Sequence, residues 1–136
     1  MVEHLPDPRA TLKILSKVLA ENGRMVVEVP SSEDVLLTLY VSEAYRNFTY
    51  WSPHLFLFNA ETLRRLVEQA GMRIVAIQQY QRYPLSNHLY WLSKREPGGH
   101  RKWAFLDIPE LAAAYSSALA ATGRCDTLIA HLELVN

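Results

Sequence analysis

The sequence predicts an α/β fold in which helices alternate with short strands, and three observations carry that prediction. A helix with clear end signals precedes the apolar, β-branched run Met25-Val26-Val27-Glu28-Val29. A second amphipathic helix precedes another strand candidate at residues 73–81. An alanine-rich tail then begins at Pro109. Helices and strands that alternate over this spacing are typical of α/β domains.

The first helix is predicted from the residues at its two ends. Asp7 is a suitable N-cap, and Pro8 fits the first helical position, where its missing N–H costs nothing. Apolar residues then repeat at helical spacing, at Leu12, Leu15, Val18 and Leu19. Gly23 follows as a candidate C′ glycine. The strand at 25–29 is almost continuously apolar, which predicts burial on both of its faces.

The second helix begins after Asn59, another good N-cap, and ends at Gly71. Its predicted apolar face consists of Leu63, Leu66, Val67 and Ala70. Residues 73–81 are predicted as a strand, and residues 88–93 as another, with a turn at Pro84 between them. Strands joined by a short connection pair antiparallel most easily, so the sequence predicts a final antiparallel pair.

The remaining segments are predicted from composition. Residues 33–45 are predicted as a helix, and residues 45–58, which contain six aromatic side chains, as a packed loop. Such a loop suits either core filling or the wall of a pocket. The tail, residues 109–134, is predicted as two helices that are divided at Gly123.

Composition fits one globular domain and excludes several functions. The chain has 136 residues, 14 basic and 14 acidic side chains, and 49% apolar residues, which excludes intrinsic disorder. Zero net charge argues against a nucleic-acid partner. No apolar run is long enough for a membrane span, and no signal peptide precedes residue 9, so we expect a cytoplasmic protein. The lone Cys125 cannot form an intramolecular disulfide. We expect residues 1–96 to form the α/β part and residues 97–136 a helical extension.

The charge is unevenly distributed. Residues 60–102 carry eight basic and three acidic side chains. Two interpretations are open at this point: the basic residues form solvated surfaces, or they attract a phosphorylated or nucleotide-linked substrate.

Three residues are candidates for catalysis. Glu3 and His4 lie where a strand would lead into the first helix, and His54 lies just before the second helix. Because ligands of open α/β sheets bind beyond the carboxyl ends of the strands, all three suit such a site. A neutral imidazole is a reasonable general base at neutral pH. The five glycines form no phosphate-binding loop.

Several segments together resemble class I S-adenosylmethionine-dependent methyltransferases. They are Glu3-His4-Leu5-Pro6-Asp7-Pro8, Met25-Val26-Val27-Glu28-Val29-Pro30, His54-Leu55-Phe56-Leu57-Phe58-Asn59 and the helix that ends in Ala70-Gly71-Met72. The resemblance covers roughly residues 3–95. It implies a partial Rossmann-like sheet: the C-terminal half of the catalytic domain, with its final antiparallel pair, followed by the helical tail.

The resemblance also implies a function. The family binds S-adenosylmethionine on a glycine-rich loop that this sequence lacks, so we expect the full-length enzyme to bind the cofactor and this chain alone to be inactive. We expect a small-molecule acceptor, such as a sugar, with His4, His54 and Glu3 as catalytic residues. Tyr50 and Trp51 are expected to line the acceptor site. In the similar sugar enzymes a glutamate precedes the catalytic histidine, whereas Pro53 occupies that position here.

Three further interpretations stay open. In a second branch of the family a similar segment and a later histidine hold a divalent metal, and Glu3, His4 and His54 match three of its four positions. The chain could instead be a non-catalytic scaffold with a methyltransferase-derived fold. The strand at 25–29 would lack a neighbour, so we expect a dimer or higher homo-oligomer that forms through this exposed strand edge.

Overall fold

The computed structural model describes residues 2–51 and 53–135, apart from the side chain of Trp51. The helices are α1 (Pro8–Ser16), α2 (Val35–Thr38), α3 (Glu43–Trp51), α4 (Ala60–Gln69), α5 (Leu85–Lys94), α6 (Gly99–Lys102) and α7 (Pro109–Ala121). The strands are β1 (Met25–Pro30), β2 (Met72–Tyr80) and β3 (Thr127–Leu134). Short 3₁₀ turns cover Val2–His4 and Ala104–Leu106. No helix in the described ranges is long and apolar enough to cross a membrane.

The three strands form one antiparallel sheet in the order β1-β3-β2. The last strand in the chain therefore lies in the centre, where Ala130 is paired with Val27 on one side and Ile77 on the other. This arrangement confirms the predicted α/β class, strands β1 and β2, and a final antiparallel pair. The partner of β2 in that pair is β3.

One face of the sheet forms the main core with α1 and α4. The core consists of Val2, Leu12, Val27, Val29, Phe58, Leu63, Val67, Ala70, Met72, Leu128, Ala130 and Leu132. The predicted caps are confirmed: Asp7 accepts a hydrogen bond from the Ala10 amide, and Asn59 forms a reciprocal capping box with Thr62. Gly71 ends α4 with φ +79°, a conformation that glycine adopts without steric cost.

The prediction that β1 is buried on both faces is wrong. Val27 and Val29 are buried, but Val26 is 56% exposed and Glu28 is also exposed. The difference arises because α1 and α4 pack on only one face of the sheet. Among the described strands β1 is paired with β3 alone, and on its other edge only the end is bonded, where the Pro30 carbonyl accepts from the Phe58 amide. The homo-oligomer through this edge stays a prediction.

The predicted second helix of the tail is also wrong, because residues 127–134 form the central strand. Leu128, Ala130 and Leu132 are buried at alternate positions, which is the strand period. The division at residue 96 stays a prediction, but the tail contributes a strand to the sheet of the first part and is not purely helical.

The strand predicted at residues 88–93 is helix α5 instead. Its aromatic composition favours strands, yet consecutive Tyr90 and Trp91 are both buried against different neighbours. Aromatic partners on two sides of a helix can bury both rings, whereas adjacent strand residues point to opposite faces.

Two smaller corrections concern helix ends. The helix predicted at 33–45 is broken into α2 and α3, and the first half of the predicted loop, residues 45–51, belongs to α3. The helix α1 ends at Ser16, so Gly23 is not its C′ residue. A Cβ atom at Gly23 would lie 2.7 Å from the Ala20 carbonyl oxygen, which explains the glycine.

Candidate acceptor site

A cavity of about 370 Å³ lies where β1 and β2 end and β3 begins. The ends of the strands and the residues next to them contribute Glu28–Pro30, Arg82–Tyr83 and Asp126–Thr127. The rest of the lining comes from Glu3, Tyr45, Phe48, Thr49, His54, Asn87, Trp91, Pro97, Gly98 and His100. Clefts of this size with an aromatic wall and a few polar groups are the usual form of small-molecule sites.

Trp91 is the centre of the aromatic wall. Its ring lies 5.3 Å from that of Tyr45 and 5.2 Å from that of Phe48, measured between centroids. Tyr45 is fixed further by its hydroxyl, which donates to Asp34 Oδ2 at 2.7 Å. Burial raises the pKa of Asp34 to about 6. This wall is therefore anchored by a buried polar contact as well as by packing.

Asp126 fixes the turn that follows β2. Its carboxylate accepts from the backbone amides of Arg82 and Tyr83 at 3.0 and 2.9 Å and from the Gln81 side-chain amide at 2.8 Å. The Thr127 hydroxyl donates as well, at 2.7 Å. Burial raises the pKa of Asp126, and these hydrogen bonds oppose the rise. The carboxylate is thus bound by four donors from the protein.

A buried polar chain supports this turn from behind. The Gln81 amide lies 3.2 Å from Nε2 of His88, and Nδ1 of His88 lies 2.7 Å from the Tyr115 hydroxyl. The Tyr115 hydroxyl also contacts that of Tyr40 at 3.1 Å. Burial lowers the pKa of His88 to about 4, so His88 is neutral at physiological pH.

Glu3, His4 and His54 meet at one corner of the cavity. One potential metal-ligand atom from each of these residues, a carboxylate oxygen or an imidazole nitrogen, lies within 4.8 Å of the other two. The centroids of the two imidazole rings are 4.9 Å apart. The backbone carbonyl of Glu3 accepts from the amides of Leu55 and Phe56 at 2.8 and 3.2 Å. These bonds hold the segment that contains His54 against the first turn of the chain.

The proton positions in this cluster can be derived from its contacts. His4 Nδ1 lies 2.9 Å from the Pro53 carbonyl oxygen, which can only accept, so Nδ1 carries a proton. Nε2 of the same ring lies 3.3 Å from Glu3 Oε1. The second ring nitrogen of His4 therefore faces the Glu3 carboxylate.

His54 has an unusual nitrogen atom. Its Nδ1 is buried and has no hydrogen-bond partner in the part of the chain that the structure describes. A buried polar atom without a partner is costly, and such atoms mark catalytic groups or ligand sites. The pKa of the neighbouring Glu3 is lowered: burial alone would raise it, but hydrogen bonds to the carboxylate and nearby positive charge outweigh burial.

The structure thus brings the adjacent residues Glu3 and His4 together with His54, which lies about fifty residues later in the sequence. Glu3 and His54 line the cavity, and His4 lies beside them. Tyr50 is 57% exposed and is not among the lining residues. The side chain of Trp51 lies outside the described residues. Sequence reasoning missed the roles of Arg82, Trp91 and Asp126, which no local motif marks.

Comparisons with known proteins agree with this architecture. Residues 1–77 match the family model described as Methyltransferase domain, which covers more than half of the chain. The chain therefore belongs to the methyltransferase-domain family, as its sequence motifs indicated. No curated protein matches it in sequence.

One solved structure illustrates the length of the chain relative to a similar protein. A candidate methyltransferase from Bacillus halodurans C-125 is similar, with 12% identity and a TM-score of 0.46. The match covers 96% of this chain and 57% of that protein, so the present chain spans little more than half of its length.

Proposed function

We propose that this chain forms the acceptor side of an S-adenosylmethionine-dependent methyltransferase that acts on a small hydroxylated metabolite, such as a sugar. Family membership supports methyl transfer, and the aromatic cavity supports a small acceptor. The observation that carries the proposal is that His54 lines this cavity next to Glu3 and His4.

The cofactor contacts are assigned to the other part of the enzyme. The five glycines of this chain form no glycine-rich loop, so its residues do not fit the cofactor. When bound in the full-length enzyme, S-adenosylmethionine supplies an electrophilic methyl group.

His54 is the proposed general base. The His54 side chain lines the cavity, so a ring nitrogen that faces the cavity can accept the proton of an acceptor hydroxyl, which makes the oxygen a better nucleophile. His4 packs against the His54 ring and donates to the Pro53 carbonyl, and Glu3 accepts from the next two amides. His4 and Glu3 therefore orient the base, because they fix the segment on both sides of it.

A divalent cation at the same three residues is a second candidate. One ligand atom from each of Glu3, His4 and His54 lies within 4.8 Å of the others, close enough for all three to hold one cation. A carboxylate and two imidazoles suit Mn²⁺ or Zn²⁺. Such a cation would bind the acceptor hydroxyl and lower its pKa.

Replacing His54 tests both candidates. In the full-length enzyme that contains this chain, His54→Ala should lower methyl transfer from labelled S-adenosylmethionine at least ~10²-fold, the low end of general-base effects. His131→Ala, on the sheet, is the matched control and should retain the rate. Removal of metal with EDTA separates the candidates, because only the cation candidate loses activity. A near-normal rate for His54→Ala would assign His54 a structural role and contradict both candidates.

A further inference from the structure

The charged groups of the cavity are mostly acidic. Among the described lining residues, the carboxylates are those of Glu3, Glu28 and Asp126, and the one guanidinium or ammonium is that of Arg82. The other basic residues of the region 60–102 do not line the cavity. Their concentration in sequence therefore does not produce a basic acceptor site.

The position of Arg82 is fixed at its backbone. Asp126 accepts from the amides of both Arg82 and Tyr83, and all four donors around this carboxylate come from the protein. The Arg82 side chain consequently extends from a rigid turn at the end of β2. Its guanidinium also lies 5.9 Å from the ring centroid of Tyr80.

The Glu28 carboxylate forms an ion pair with the Arg82 guanidinium. Glu28 is on β1 and Arg82 follows β2, so their ion pair spans the end of the central strand. Both side chains are about half exposed, at 47% and 49%, which places the pair between the cavity and the solvent. A ligand that enters beside this pair meets an arginine whose charge is already neutralised.

We propose that Glu28 is a specificity residue that keeps Arg82 from binding anions, so that the cavity accepts uncharged hydroxylated molecules and rejects phosphorylated or nucleotide-linked ones. The inference rests on the proposed function only for the statement that the ligand is a methyl acceptor. Arginine binds phosphate through a bidentate fork, and Glu28 Oε1 already takes Nη2, one arm of the Arg82 fork. The negative charge of Glu28 would also repel a nearby anion.

The proposal can be tested by measuring the binding of inorganic phosphate, without an assay of methyl transfer. We would titrate phosphate at pH 7.5 into the ¹⁵N-labelled 136-residue chain and follow the backbone amides of Arg82 and Tyr83 by NMR. Glu28→Gln removes the charge and nearly preserves the shape. The dissociation constant for phosphate, measured from these two amide signals, should be about tenfold lower in the Glu28→Gln variant than in the wild type. This is the scale expected for one close charge.

The chain provides a matched control for this substitution. Glu133 pairs with Arg24 and Arg73 on the sheet, away from the cavity. Glu133→Gln changes the net charge by the same amount and should leave the Arg82 and Tyr83 titration as in the wild type. The double variant Glu28→Gln/Arg82→Gln should lose the gain, because the binding group is then absent. Unchanged melting temperatures would show that the variants are folded.

Three results would overturn the proposal. Glu28→Gln could bind phosphate no more tightly than the wild type, Glu133→Gln could show the same gain, or the gain could persist without Arg82. The last two results would mean a general charge effect or an ion bound elsewhere. Failure of the full-length enzyme to transfer a methyl group would contradict the proposed function and leave this titration unaffected.

Discussion

The two sides of the cavity are held together by different forces. Beneath the sheet, apolar side chains such as Leu63 and Met72 are fully buried against one another. On the other side, a smaller apolar cluster that includes Val35 and Leu119 is accompanied by buried polar groups, among them Asp34, His88 and Asp126. Apolar burial is non-directional, whereas each buried polar group needs a partner in a particular place. The polar layer therefore sets the positions of the cavity-lining side chains, and the apolar layer supplies stability.

The largest expected effect belongs to the apolar side. Leu63 is fully buried between α4 and the sheet, so Leu63→Ala should lower the free energy of unfolding by about 3 kcal/mol, within the usual range for leucine truncation. Urea denaturation of the chain measures it. Arg64→Ala, at the exposed neighbouring position, should change stability by less than about 0.5 kcal/mol. Similar losses for the two variants would contradict the assigned core.

The buried polar groups His88 and Asp34 should make the free energy of unfolding depend on pH. The folded-state pKa of His88 is lowered to about 4, so its stabilising contribution is present above its unfolded pKa and is lost as pH falls from about 6.5 to 4. The pKa of Asp34 is raised to about 6, so the folded state binds its proton first and stability rises as pH falls from about 6 to 4. Each effect is at most about 3 kcal/mol, and the two nearly cancel in the wild type.

Asp34→Asn separates the two effects. Without Asp34, the uncompensated His88 should make the free energy of unfolding fall by up to about 3 kcal/mol between pH 6.5 and 4. His88→Asn should show the opposite slope, with stability that rises toward acid. Urea titrations at pH 4 to 7.5 measure both slopes. Identical slopes in the wild type and in both variants would mean that neither group titrates as its burial requires.

The same contrast explains what the sequence could predict. The helices α1 and α4 have local caps at Asp7 and Asn59, and β1 and β2 have β-branched runs, so both kinds of element follow from neighbouring residues. The strand β3 also has an alternating apolar pattern at Leu128, Ala130 and Leu132. The alanine-rich segment before it favoured helix and obscured that pattern.

The polar layer was harder to predict because its contacts are distant in sequence. Asp126 contacts the turn at residues 81–83, and Tyr115 contacts His88. Neither contact has a local signal, and α5 was predicted as a strand from its aromatic residues. The histidine cluster was predicted from its place next to the strand ends and then from the family resemblance, yet its geometry depends on the contacts of Pro53 and Leu55 with the first turn.

The most direct test of the central claim, that this chain supplies the acceptor side of a methyltransferase, is a calorimetric titration with S-adenosylmethionine. The chain alone should show no binding in the micromolar range, because it lacks the glycine-rich loop. The full-length enzyme should bind the cofactor. Micromolar binding by the 136-residue chain alone would contradict the account.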